Sequence, residues 1–378
     1  MSTRESALTT CGDDRVADTC LPKLNSGQLA AADAALTCEA VQPWLATLFP
    51  GADGLQVTPL AADASTRRYF RAQWTRSRRG DPASCIIMVQ EPWRAGTMPN
   101  FLAVGRHLQT CGVHVPEVYG VAPDAGWMAL EDFGDRTLAG LWQDSSAAER
   151  LQWGREAMRA LIAMHTAGAD PHNPDCPAFH LDFDVPKLLS ELQFFRHHAI
   201  EGLWQHKLTD AARAEFDAAC QPLCERLASQ PRYFCHRDYH GWNLMAHHGT
   251  LGVLDFQDAR MGPQPYDVVS LLVDRGTPEL LGKEVSAALV EDYVQRFQAE
   301  TGAVIDRSEF DILFDLVAVQ RCLKAIGTFA FMTVVHQRQQ YHAYIPSTLA
   351  YVQPLLDRYD LLKPLNVRLQ GYMPILSH

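Results

Sequence analysis

The segment His236-Arg237-Asp238-Tyr239-His240-Gly241-Trp242-Asn243 sets a carboxylate and a carboxamide five residues apart. Asp255 follows twelve residues after Asn243, in the run Val-Leu-Asp-Phe. This set suits phosphoryl transfer, which asks a protein for positioning and charge neutralisation more than for covalent chemistry. One carboxylate has to meet the attacking hydroxyl, and Asp238 suits that role. A neutral and an anionic oxygen ligand have to hold Mg²⁺ against the phosphates of ATP, and Asn243 and Asp255 suit those. Magnesium takes hard oxygen ligands and keeps several waters, so two protein ligands plus phosphates suffice. His236 reads as a structural residue that holds the loop by hydrogen bonds. A zinc site built from Cys235, His236 and His240 has no fourth ligand at zinc spacing. Asp258 reads either as a further metal ligand or as a solvated turn residue. Asp267, in Pro265-Tyr-Asp-Val-Val, opens a helix and reads as a carboxylate bracing the loop.

The surrounding elements have to carry these residues. From Leu55 to about Leu130 the chain reads as short strands with one helix. The β-prone runs are Leu55–Val57, Arg68–Ala72, Cys85–Val89 and Trp127–Leu130. The helix spans Asn100 to Cys111, with Phe101, Val104 and Leu108 on one face and Gly112 as its stop. After Gly134 the pattern turns helical. Ser146-Ala-Ala-Glu149 is a capping box opening a helix to about Thr166. Further helices are expected near 185–200, 209–229, 278–300, 308–335 and 347–358. Leu244–Ala246 and Leu251–Leu254 flank His-His-Gly-Thr and read as a β-hairpin that returns Asp255 toward Asn243. The expected fold class is α+β: a bilobal, protein-kinase-like chain with a small β-rich lobe followed by a helical lobe. The expected divisions are a loosely ordered extension over 1–36, a nucleotide-binding lobe over 37–132, and a helical lobe carrying the catalytic loop over 133–378.

Composition bounds the function further. The chain has 378 residues, 47% of them hydrophobic and 20% charged, which is ordinary for a globular protein. A net charge of −11 argues against a nucleic-acid scaffold. No apolar run reaches the roughly 18 residues that span a bilayer, and the start, MSTRESALTT, lacks a secretory pattern. The expected address is the cytoplasm, with a small-molecule partner, no nucleic acid and no membrane. Ten cysteines are scattered without a C-x-x-C pair, which reads as free thiols.

The stretches CHRDYHGWNLM and GVLDFQDARMGPQPYDVVSLL resemble the aminoglycoside phosphotransferase and choline kinase superfamily. More narrowly, the chain resembles the bacterial N-acetylmuramate/N-acetylglucosamine anomeric kinases of cell-wall recycling. ADASTRRYFRA, VPEVYGV, MALEDFGDRTL, LLSELQFF and QRCLKAIGTFA share in that likeness, which runs from about residue 57 to 357. The resemblance implies that Asp238 is the catalytic base, that Asn243 and Asp255 are Mg²⁺ ligands, and that Leu130, Glu131 and Asp132 lie near adenine. It implies that Ser65, Thr66, Arg67 and Arg68 occupy the phosphate-covering loop. Glu191 and Arg321 are candidate acceptor contacts. The chain departs from the kinase pattern in two places. Its phosphate loop is not glycine-rich, and Ile87-Met-Val-Gln-Glu91 has no phosphate-pairing lysine. The expected activity is ATP-dependent phosphorylation of an amino-sugar anomeric hydroxyl. The alternatives are a kinase of another small alcohol, such as an aminoglycoside or choline-like amine, and a nucleotide-binding pseudokinase.

Overall fold

The computed structural model describes residues 36–60, 67–77, 80–167 and 173–374. The expected extension, all but its last residue, lies outside them. The chain divides into two compact units, residues 1–84 and 85–378.

In the first unit, helix α1 (Cys38–Leu48) begins at Thr37, whose hydroxyl accepts the Ala40 N–H. Val41 and Leu45 are its buried face. Strands β1 (Gln56–Pro59) and β2 (Arg68–Gln73) pair antiparallel, Gln56 opposite Gln73. Phe70 and Ala72 alternate inward along β2, the period-two pattern of a half-buried strand. The Arg68 guanidinium lies 5.9 Å over the Phe70 ring.

The second unit opens on β3 (Ser84–Val89), of which Cys85, Ile87, Met88 and Val89 are buried. Helix α2 (Asn100–Thr110) follows, and it buries Leu102, Ala103, Gly105 and His107 besides the expected apolar face. Gly112 takes a positive φ of 73° just past the helix end, the stop that the sequence signals. Strands β4 (Val118–Ala122) and β5 (Trp127–Glu131) are antiparallel, and β5 pairs β3 with Cys85 opposite Glu131.

The helical region comprises α3 (Leu138–Asp144), α4 (Ala147–Ala167), α5 (Val185–Phe195) and α6 (Asp210–Ala228). The capping box forms as read: Glu149 accepts the Ser146 N–H at 2.8 Å. Its return bond, Glu149 N–H to Ser146 Oγ, is 3.4 Å. The helix expected over 185–200 ends its α-form at Phe195 and continues as a π-helix, Arg196–Leu203. Nothing in the local sequence marks that change.

Two short antiparallel pairs interrupt the helices. Strand β6 (Arg232–Cys235) pairs β9 (Arg260–Pro263). Between them, β7 (Leu244–His247) and β8 (Thr250–Val253) form the expected hairpin. His248 and Gly249 both take positive φ, 47° and 80°, as a two-residue type I′ turn requires. Then come α7 (Tyr266–Leu272), α8 (Thr277–Thr301), α9 (Arg307–Val334), α10 (Ile345–Arg358) and α11 (Lys363–Gln370).

Helix α4 packs on α8, and α9 packs on α5. Gly327 makes the second contact close: a Cβ there would stand 2.7 Å from the Phe195 Cα. That approach brings the polar side chains of α5 and α9 within hydrogen-bonding reach of each other. Among the described residues no helix is long and apolar enough to cross a membrane. The eight described cysteines are free, as read.

Candidate active site

The loop between β6 and β7 carries His236 to Asn243. Asp267, in the first turn of α7, accepts the backbone N–H of His236 at 2.6 Å and that of Arg237 at 3.0 Å. Burial pushes the Asp267 carboxyl up, against the opposing pull of His236 and these two N–H groups. His236 Nε2 meets the Leu254 carbonyl at 2.8 Å, which fixes its role as a donor and ties the loop to the hairpin. Tyr239, fully buried, donates its hydroxyl to the Ala157 carbonyl at 2.7 Å. Two of the three ends of this brace, His236 and Asp267, are the residues whose types suggested it in the sequence.

The loop holds Asp238 and Asn243 in one hydrogen-bonded turn. The Asn243 carboxamide donates to the Asp238 carbonyl at 2.9 Å. The Asn243 carbonyl accepts the Leu254 N–H at 2.9 Å, which fastens the residue before Asp255 to the same loop. Asp255 is exposed, takes a positive φ of 60°, and accepts from the buried Gln257 carboxamide at 2.7 Å. Phe256 turns the other way and stacks on Phe101 of α2, ring centroids 4.9 Å apart. Asn243 thus spends its side-chain NH₂ and its backbone carbonyl on the loop and keeps its side-chain oxygen, Oδ1. With the exposed Asp255 carboxylate, this is a hard-oxygen pair that fits magnesium. Among the described residues no group of three His, Cys, Asp or Glu side chains is placed to hold a metal. A Cys235–His236–His240 zinc site therefore has no basis, and Cys235 instead directs its thiol at the Pro263 carbonyl. Asp258 is exposed.

Asp238 keeps 39% of its side chain exposed, and Lys324 Nζ lies 3.5 Å from its Oδ1. The surrounding protein desolvates the carboxyl, which alone would raise its pKa. Lys324, Arg237, Arg321 and His240 outweigh that and hold it far below the usual carboxylate range. Glu191, on α5, is 6% exposed. It receives Arg237 at 3.3 Å, Lys187 at 3.2 Å and Gln320 at 3.0 Å. Burial pushes Glu191 up, but Lys324, Arg237 and Lys187 prevail and hold it at about 2. Arg321 donates to the Arg237 carbonyl and lies 5.0 Å over the Tyr266 ring. Both side chains picked from the sequence as acceptor contacts are thus engaged in holding Arg237. Lys187 and Gln320 join them through Glu191, and Lys324 pairs with Asp238. No local pattern pointed to those three: a lysine or glutamine on a helix reads as solvated surface until the opposing helix is known.

At the other candidate positions, Leu130 is buried in β5 opposite Ile86. Glu131 meets His247 Nε2 at 3.2 Å and accepts the Glu117 N–H at 3.2 Å. Asp132 accepts the Gly134 N–H at 2.9 Å. Ser65 and Thr66 lie outside the described residues. Arg67 and Arg68 belong to the first unit, both half-buried.

The sequence profile of the phosphotransferase enzyme family matches residues 56–308. The chain is 32% identical over 324 residues to the N-acetylmuramate/N-acetylglucosamine kinase of Neisseria meningitidis serogroup B, covering 85% of this chain and 92% of that protein. It is 31% identical over 311 residues to the protein of the same name from Pseudomonas aeruginosa, covering 80% and 84%. Among solved structures, it resembles the ADP-bound aminoglycoside phosphotransferase APH(2'')-Ib with a TM-score of 0.54 at 15% identity, covering 84% of this chain and 98% of that one. A choline/ethanolamine kinase family protein from Mesorhizobium loti gives 0.51 at 14% identity, covering 91% and 99%. At such identities these structures speak to the fold alone, which is the protein-kinase-like α+β fold expected from the sequence.

Proposed function

The chain belongs to the phosphotransferase enzyme family, and on that premise we propose that it transfers the γ-phosphoryl group of ATP to the anomeric hydroxyl of N-acetylmuramate or N-acetylglucosamine, within cell-wall recycling. The names of the relatives, each matched over most of its length, support this choice of acceptor. The observation that carries the reaction is Asp238. It is a half-exposed carboxylate on a loop pinned by Asp267, with Asn243 bonded to its own carbonyl.

In this reading Asp238 orients the acceptor hydroxyl and takes its proton. It holds the hydroxyl in line and takes its proton as the bond to phosphorus forms. Asn243 and Asp255 would hold Mg²⁺, which when bound neutralises phosphate charge. Leu130 to Asp132 border adenine. Residues 37–132 then serve the nucleotide and 133–378 the acceptor and the chemistry.

Cations and carboxylates are both numerous around Asp238: Lys187, Arg237, Arg321 and Lys324 stand with Glu191, Asp258, Asp267 and Asp274. The choice of an amino sugar over a cationic aminoglycoside or choline-like amine therefore rests on the relatives' names. The set of Asp238, Asn243 and Asp255 tells against a pseudokinase.

A magnesium-ATP turnover screen across amino sugars, aminoglycosides and choline tests the proposal. The expected result is ADP release with the amino sugars and a product that has lost its reducing end. Turnover confined to cationic acceptors, or none at all, refutes it.

A further inference from the structure

Lys187, Arg237, Arg321 and Lys324 lie on or beside the loop, and they are not engaged alike. Arg237 and Lys187 direct their charge at the buried Glu191. Arg321 is occupied by the Arg237 carbonyl and the Tyr266 ring. Lys324 also acts on Glu191, but its ion pair is with Asp238, the carboxylate with substantial exposure to solvent. Its own side chain is 18% exposed.

We propose that Lys324 is a second catalytic group of the transfer, a cation that pairs with Asp238 in the resting site and with the phosphoryl group as it moves. The proposal rests on the phosphotransferase reading above. In the resting site the ammonium and the carboxylate, 3.5 Å apart, neutralise each other. During transfer the acceptor oxygen forms its bond to phosphorus and gives its proton to Asp238. The bond from phosphorus to the bridging oxygen breaks, and its electron pair leaves with ADP. Asp238 thereby becomes neutral, and Lys324 loses its partner while the phosphoryl oxygens beside it carry charge. The attraction of Lys324 for those oxygens is therefore stronger in the transition state than before it, which is the condition for raising kcat. A lysine suits the exchange, because its flexible stem and three donors let the charge turn from one partner to the other. Strand β3 offers no lysine for the phosphates, so a cation arriving from α9 also answers a need that the sequence exposes.

Lys324→Met and Lys324→Arg in the full chain test this, with steady-state kinetics on an acceptor that the wild type turns over. The expected result is a fall in kcat of about 10²–10³-fold for Lys324→Met, the scale for losing one group that stabilises developing charge. The KM for ATP should stay within about threefold, and Lys324→Arg should recover at least about tenfold over Met. Thermal unfolding checks that Lys324→Met is folded; if it is not, Lys324→Gln replaces it and is read in the same way. A kcat within about threefold of wild type, or a loss lying wholly in KM, overturns the proposal. If the wild type itself turns over no acceptor, the phosphotransferase reading fails. If the wild type turns over and Lys324→Met equals it, the role of Lys324 alone fails.

Discussion

Replacing Asp267 tests whether the catalytic loop is held by one carboxylate. Its two oxygens take the N–H groups of His236 and Arg237, 2.6 and 3.0 Å away, and the side chain is fully buried. Asp267→Ala leaves two buried donors without acceptors. Each costs about 1–3 kcal/mol, toward the upper end where the lost acceptor is charged, so the variant should lose about 3–6 kcal/mol. Asp267→Asn keeps one acceptor and turns a donor at the other N–H, so it should lose roughly half as much. Against a total stability of about 5–15 kcal/mol these are large fractions. Urea unfolding of the three proteins measures them, with the slope checked for constancy so that the midpoints can be compared. Turnover should fall in both variants, because Asp238 rides on the segment that Asp267 fixes. Losses below about 0.5 kcal/mol, or equal losses for Asn and Ala, would refute the account of two N–H groups sharing one carboxylate.

Asp238→Ala should lower turnover by about 10²–10⁴-fold while the protein still binds ATP, measured by nucleotide titration alongside kinetics. Asp255→Ala should shift the magnesium dependence of turnover to higher concentration, and an unchanged magnesium titration would count against its role as a ligand. Glu191→Gln takes from the half-buried Arg237 and Lys187 the carboxylate they share and should cost about 1–3 kcal/mol in urea unfolding. His165 is buried, bonded through Nδ1 to the Tyr293 hydroxyl at 2.7 Å, and burial lowers its pKa to about 3. The unfolded chain takes up that proton near pH 6.5 and the folded one does not, so stability should fall as pH drops below 6.5 and continue to fall toward 3. Between pH 7 and pH 5 this contributes about 2 kcal/mol. His165→Gln should flatten that slope in urea midpoints taken across the range.

Elements with a strong period or a cap were legible from the sequence. The Ser146–Glu149 box, the 244–254 hairpin and the α9 helix are local signals, and local physics formed them. Strands β6 and β9 were not legible. Arg260-Met-Gly-Pro has no alternation to read, and it becomes a strand because its partner, Arg232–Cys235, arrives from elsewhere in the chain. The site divides in the same way. Asp238, Asn243, Asp255 and Asp267 lie in one continuous stretch, so their types and spacing speak together. Lys324 and Gln320 acquire their meaning from the close packing of α9 on α5 at Gly327, a long-range event that leaves no local mark.

Asp255 occupies a backbone conformation, φ 60°, that disfavours most residues with a Cβ by about 1–2 kcal/mol, aspartate less than most. Glycine would relieve that strain and remove the carboxylate with it. Two selective pressures therefore oppose each other at this one codon. A library of variants sorted for thermal endurance alone should drift toward glycine there and lose its chemistry on the way. A library sorted for turnover should hold aspartate and recover the lost stability at other positions.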